Sequence, residues 1–339
     1  MQGAQFVLAI AVVASAAALS SVLIYFLKPV LVRYLLAHPN ERSSHIRATP
    51  EGAGVGVMLA LFIVCAAARP VWGAWGCGTT ALWPVLVAAG GLMVLGLADD
   101  ARALPVSWRF IGQTLAALVM VATLPDDLRL FPGLVPVLLE RALLVLGTVW
   151  FVNAVNFLDG LDWVTAAQVV PMTLGVTVLA GLSAVPPNIG FLALVLLGAM
   201  LGFAAFNKHP AQVFLGDAGS LPIGLLLAFM LITVAGTNLA AALLLALYTM
   251  SDSTVTLIRR AANREHVFTA HRSHYYQRAV IAGMTPPQVT ARIFVLGLLL
   301  ASLAVTAVAL DSIIADIILL GLGAVATAYV LYVLSRGRK

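Results

Sequence analysis

The stretch ALWPVLVAAGGLMVLGLADD, residues 81–100, decides what kind of protein this is. Residues 81–98 carry no charge, close to the ~20 residues that a helix needs to cross a bilayer. The run then stops on two adjacent carboxylates, Asp99 and Asp100. Working outward, the same pattern of apolar run and polar stop recurs along the chain. It predicts eleven spanning helices, at 5–27, 53–68, 81–98, 110–125, 136–155, 164–183, 190–206, 220–236, 238–258, 288–309 and 313–334. Within 220–258 only Gly236 and Asn238 mark a break.

Composition points the same way. Of 339 residues 62% are hydrophobic and 10% charged, and mean hydropathy is +1.03. A soluble globule carries about 25% charged residues, so this chain cannot cover a water-facing surface. Disorder, a collagen-like repeat and a nucleic-acid-binding domain are excluded for the same reason. Cys65 and Cys77 are too few for a disulfide scaffold and lack metal-ligand spacing. The expectation is an all-α polytopic membrane protein, a single integral-membrane domain over 1–339. The first basic residue, Lys28, lies beyond the first apolar run, so no cleavable signal peptide is expected.

Charge supplies the sidedness. With eleven spans, sixteen of the nineteen Lys and Arg residues fall on one side, and only Arg69, Arg129 and Arg141 on the other. By the positive-inside rule the rich side is cytoplasmic and the N-terminus outside. All six histidines fall on that cytoplasmic side, where the chemistry is therefore expected.

Five polar clusters stand on that side. In HPNERSSHIRATPEGAGVG (38–56), the glycines at 52, 54 and 56 lack the strand and downstream acid of a dinucleotide fingerprint. They read as a helix start with close packing, or as an edge closing over a ligand with Arg42, His45 and Arg47 supplying positive charge. Asp99 and Asp100 end a span at its C-terminus, where the helix dipole disfavours carboxylates, which favours a metal or catalytic role. Arg109 and Gln113, one turn apart, can face them. In NAVNFLDGLD (153–162), Asn153 and Asn156 share a helix face ahead of Asp159, Gly160 and Asp162. That mixture suits a hard cation such as Mg2+ or the hydrogen-bonding edges of a nucleotide.

In NKHPAQVFLGDAGS (207–220), Asp217 stands between two glycines. It reads either as an ordinary N-cap or as a carboxylate brought to a metal, with a helix N-terminus near an anion. In REHVFTAHRSHYYQR (264–278), His271, Arg272 and His274 form a cationic patch suited to a pyrophosphate. Zinc is disfavoured, because no third ligand stands at metal-site spacing. Asp252 reads as a buried structural group, on nearly the same helical face as Arg259, and Glu140 as the structural partner of Arg141.

Carboxylates for a cation plus cations for phosphates are the equipment of phosphoryl transfer at a lipid interface. A transporter of a nucleotide-sugar or lipid-linked sugar is the competing class. It would place its charges near mid-span, whereas here they sit almost wholly at helix ends.

The motifs RSSH (42–45), ADD (98–100), NAVNFLDGLD, FLGDAGS (214–220) and HRSHYYQR (271–278) resemble, in family order, those of the polyprenyl-phosphate N-acetylhexosamine-1-phosphate transferases, glycosyltransferase family 4. The last motif is more similar to the O-antigen-initiating branch than to the muramoyl branch, which carries adjacent histidines there. The resemblance implies transfer of an N-acetylated sugar-1-phosphate from a UDP-sugar to undecaprenyl phosphate, with release of UMP, in a bacterial inner membrane. It implies Mg2+, with Mn2+ as a substitute, held by Asp217 with Asn156 as a second ligand. Asp99 and Asp100 would orient or deprotonate the attacking lipid phosphate. Asp159, Gly160, Asn207 and Phe214 would lie near the nucleoside, and His271, Arg272 and His274 near the pyrophosphate and sugar; Asn153 stays a substrate-binding candidate from its own cluster. Direct attack and a covalent aspartyl intermediate both stay open, and a homodimer is admissible. Three positions depart from the family pattern: Glu51 stands where a base is common, and Ala53 and Trp163 stand where glycines are common.

Overall fold

A computed structural model of the chain describes residues 2–37, 48–68, 82–266 and 271–337. The described residues form α1 (Gln2–Tyr34), a two-stranded ladder of β1 (Leu36–Ala37) with β2 (Thr49–Pro50), α2 (Gly54–Ala67), α3 (Leu82–Ala101), α4 (Val106–Ala122) and α5 (Val137–Phe157). There follow α6 (Val164–Gly181), α7 (Pro187–Phe206), α8 (Asp217–Thr237), α9 (Leu239–Ala262), the short α10 (Tyr275–Ile281), α11 (Pro286–Leu310) and α12 (Ile313–Arg336). Arg42, His45 and Arg47 lie outside the described residues, as do Arg69, Cys77 and Lys339.

Among the described residues nine helices are long and apolar enough to cross a membrane. The two others that match the expected runs, α2 and α4, have 14 and 17 residues. The chain is an all-α polytopic membrane protein. The doubtful break in 220–258 is real: α8 and α9 meet at Asn238, whose side chain accepts from Ala241 N at 2.7 Å and caps the second helix. Two boundaries differ usefully from expectation. Helix α4 begins at Val106, after Pro105, so Arg109 lies in its first turn rather than in a loop. Helix α10 is an added seven-residue piece within the late polar segment.

Helix α8 is buried along most of its length, while Leu138, Val295 and Ile313 on outer helices turn outward. That outward apolar surface suits lipid, where small residues rather than hydrophobicity bring helices together. The sequence GAMLG on α7 does this against α1: a Cβ at Gly198 would sit 2.4 Å from Val13 O, and one at Gly202 2.4 Å from Ala17 O.

At the end of the bundle away from the polar clusters, Glu140 does not pair with Arg141. It accepts from Arg129 Nε at 2.8 Å, and Arg141 donates to Pro125 O at 2.6 Å. Adjacent residues on a helix face different directions, which is why the expected neighbour loses to one eleven residues away.

Candidate active site

The C-terminal end of α3 meets the N-terminal end of α8. Gly96 has no Cβ, and one added there would lie 2.2 Å from Asp217 O. This approach lets Asp100 reach across: its Oδ1 accepts from Asp217 N at 2.8 Å and its Oδ2 from Ala218 N at 3.1 Å. The N-terminal amides of α8 are therefore capped from another helix. Gly216, at φ +74, is the N-cap residue, and Asp217 is the first residue of the helix.

The N-cap reading of Asp217 is thus displaced, and its side chain is turned to other partners. Its Oδ1 accepts from Asn156 Nδ2 at 2.6 Å, and the same amide donates to Ser220 Oγ at 2.9 Å. Arg109 Nη1 lies 3.0 Å from Asp99 Oδ2 and 3.9 Å from Asp217 Oδ2, while Asp99 Oδ1 accepts from Leu104 N at 2.6 Å. Four residues from α3, α4, α5 and α8 converge here. Asn153, one turn before Asn156, instead pairs with Gln113, donating to its Oε1 at 2.6 Å.

The loop before α2 locks onto the loop before α8. Phe214 N donates to Pro50 O at 2.8 Å, Ala53 N to Phe214 O at 3.0 Å, and Gly54 N to Leu215 O at 2.9 Å. A Cβ at Gly54 would lie 2.2 Å from Gly219 Cα, so the close-packing reading of these glycines holds there. The lock carries Glu51 toward the carboxylates, a neighbour that sequence reasoning set down only as a departure. Burial pushes Glu51 up to about 7, with the charges of Asp159 and Asp99 adding to it.

Asp159 accepts from Thr165 Oγ1. Burial pushes its carboxyl up to about 7, Thr165 opposes the rise, and Asp100 adds to it. Asn207 is buried and fully engaged: Oδ1 accepts from Trp163 N at 2.7 Å, and Nδ2 donates to Val213 O at 2.9 Å. Trp163 sits at φ +65, which explains why glycine is the easy residue there. Its indole N–H donates to Ala204 O at 2.6 Å. Asp162 holds His209 Nδ1 at 2.6 Å.

The 271–278 segment docks on the end of α5. Tyr276 Oη donates to Phe157 O at 3.1 Å and fills the space where a Cβ of Gly160 would be, 2.2 Å away. The rings of His271 and His274 lie tilted against each other, with centroids 5.0 Å apart. His274 is buried, whereas His271 is partly exposed. Burial pushes His271 down to about 4, helped by His274, Arg260 and Arg259. Asp252 does not pair with Arg259, since seven residues span about 10 Å of helix. Arg259 instead donates to Ser273 O and lies over the Tyr275 ring at 5.1 Å.

A divalent cation fits this donor set in part. Asp217, Asn156 and Ser220 offer oxygen, as a hard ion requires, and among the described residues nothing occupies the Asn156 amide oxygen. No three His, Cys, Asp or Glu side chains among the described residues stand at metal-holding spacing. Such a site suits Mg2+, which usually keeps water and takes substrate phosphates alongside one or two carboxylates.

Carboxylates, amides and a cationic segment thus gather at one end of a membrane bundle, the chemistry that phosphoryl groups call for. Comparison with known sequences agrees. The pattern of "Glycosyl transferase family 4" matches residues 82–235. The chain is 35% identical over 219 residues to the decaprenyl-phosphate N-acetylglucosaminephosphotransferase of Mycobacterium tuberculosis H37Rv, covering 59% of this chain and 54% of that protein. It is 30% identical over 295 residues to the protein of the same name in Mycobacterium leprae, covering 76% and 73%. It is 29% identical over 272 residues to a probable undecaprenyl-phosphate N-acetylglucosaminyl 1-phosphate transferase of Bacillus subtilis 168, again covering 76% and 73%. The chain belongs to glycosyl transferase family 4, the polyprenyl-phosphate sugar-1-phosphate transferase family. It spans about half the length of the Mycobacterium tuberculosis relative.

Proposed function

We propose that the chain moves an N-acetylated sugar-1-phosphate from a UDP-sugar to a polyprenyl phosphate. The observation that carries this reading is the convergence of Asp99, Asp100, Asp217, Asn156 and Arg109, with the segment holding His271 and Arg272 docked through Tyr276 on Phe157, the neighbour of Asn156. An oxygen of the lipid phosphate forms a bond to the β-phosphorus. The bond from that phosphorus to the bridging oxygen breaks, and UMP leaves with the oxygen. Asp99 and Asp100 orient the attacking phosphate or take its proton. Arg109 offsets the repulsion between carboxylates and incoming anions. His271, Arg272 and the basic residues around them receive the diphosphate, while Asp159, Gly160 and Phe214 border the nucleoside. Mg2+, when bound by Asp217 and Asn156, supplies electrostatic stabilisation to the transferring phosphoryl group.

The relatives' names favour N-acetylglucosamine as the sugar and an undecaprenyl or decaprenyl phosphate as acceptor, while the UDP carrier and initiation of an O-antigen-like polysaccharide rest on the motifs, the HRSHYYQR form for the latter. The basic-residue asymmetry favours a cytoplasmic site in a bacterial inner membrane. Reporter fusions at His209 and Lys339 should read cytoplasmic and one at Asp127 external. Purified protein in detergent, given undecaprenyl phosphate, Mg2+ and a panel of UDP-sugars, should release UMP and make a lipid-diphosphate N-acetylhexosamine. No lipid product from any donor would overturn the reading.

A further inference from the structure

Asp252 lies within α9, a segment apolar enough to cross a membrane, and is fully buried. A carboxylate there is costly unless it is paired. Its partners come from α9 itself and from the segment that follows it. Oδ1 accepts from Tyr275 N at 2.9 Å and Thr256 Oγ1 at 3.3 Å; Oδ2 accepts from Tyr248 Oη at 3.1 Å and Tyr276 N at 3.4 Å. Tyr275 and Tyr276 open α10, so Asp252 satisfies the first two orphan amides of a helix that begins 23 residues later.

The same carboxylate faces His274. Nδ1 of that buried ring lies 3.4 Å from Asp252 Oδ1. The His274 ring lies tilted against His271, with centroids 5.0 Å apart, and 6.0 Å from both Phe157 and Tyr276. A continuous column therefore runs from the buried carboxylate through His274 to the partly exposed His271.

We propose that Asp252 is a positioning residue acting through His274: it fixes the 271–278 segment, and so His271, for the donor's diphosphate. This rests on the reading of that segment as the diphosphate-binding part. A merely structural carboxylate would change protein yield and melting temperature but would leave donor affinity in the folded fraction unchanged. A positioning residue would change KM for the UDP-sugar.

The test compares wild type, Asp252→Asn, His274→Gln and the double variant in detergent. Asp252→Asn should raise KM for the UDP-sugar roughly tenfold to a hundredfold, the scale of one charge-assisted hydrogen bond, with a much smaller change in kcat. Asp252→Glu should recover part of the affinity. Because both residues act in one column, the double variant should be no worse than the poorer single variant. Hydrogen exchange in peptides covering 271–281 should quicken in Asp252→Asn whether or not turnover is measured. Additive losses, an unchanged KM or unchanged exchange would each overturn the proposal. If Asp252→Asn does not fold, Tyr248→Phe with Thr256→Val keeps the charge but strips two donors that orient it. That variant must also raise KM, and an unchanged KM would overturn the proposal. Absent turnover in wild type would count against the proposed reaction, while the exchange measurement would still judge the positioning.

Discussion

Asp217, the residue that opens α8, donates its backbone N–H to Asp100 Oδ1 at 2.8 Å. This bond resolves an electrostatic oddity. Two carboxylates at the C-terminus of α3 are badly placed for that helix's dipole, but Asp100 is simultaneously at the N-terminus of α8, where negative charge is favoured. It also frees the Asp217 side chain from capping, so that it faces Asn156 and Arg109 instead.

Asp100→Ala should therefore destabilise the fold as well as impair activity. It leaves two amides without their acceptor, at about 1–3 kcal/mol for each buried group. Thermal unfolding in detergent and exchange at Asp217 and Ala218 should both show it, with Asp100→Asn intermediate because one acceptor oxygen remains. An alanine variant as stable as wild type would remove Asp100 from the cap.

Two glycines on one helix give a controlled comparison. A Cβ at Gly96 would meet the Asp217 carbonyl at 2.2 Å, whereas one at Gly91 would meet nothing within 4 Å. Gly96→Ala should cost about 1–3 kcal/mol through overpacking and push α3 away from α8, with loss of turnover. Gly91→Ala should be neutral. Equal behaviour of the two variants would show that the α3–α8 approach is unimportant.

These relationships also show what a sequence can carry. The helices were legible because hydropathy is local, and the motif residues because Asp, Asn and His at span ends are out of place in lipid. Pairings across the chain were not legible. Nothing near Asp100 announces the amides of Asp217 and Ala218, and nothing near Glu140 announces Arg129. Glu51 joins the carboxylates only because the 49–54 loop pairs with the 213–216 loop. Asp252 did carry a signal, a carboxylate inside an apolar run, but two of its partners, the Tyr275 and Tyr276 amides, come from a helix too short to have been anticipated.

Glu51 gives a pH prediction. Its folded pKa of about 7 lies above the ordinary 4.5. Between those values the folded state holds a proton that the unfolded chain has released, so its contribution to stability is lost as pH rises through that window. Glu51→Gln cannot ionise. In EDTA it should match wild type near pH 4, gain on it up to about pH 7, and keep a constant advantage above. Parallel unfolding curves across the range would contradict the half-buried placement of Glu51 near Asp99 and Asp159.

His271 should behave in the opposite sense. Its folded pKa of about 4 lies below the ordinary 6.5. In that window the unfolded chain binds the proton and the folded state does not, so stability falls as pH falls from 6.5 to 4. His271→Gln should flatten that part of the profile. A slope unchanged by the substitution would assign it to other groups.

The most direct test of the central claim is UMP release by Asp217→Asn, with UDP-N-acetylglucosamine, undecaprenyl phosphate and Mg2+ in detergent. Asparagine keeps the size and one acceptor but removes the charge. The expected result is a fall of at least ~100-fold, the scale of losing one well-placed electrostatic element, in a protein that melts like wild type. The exposed Asp127→Asn should stay fully active. Near-normal, Mg2+-dependent UMP release by Asp217→Asn would contradict the account.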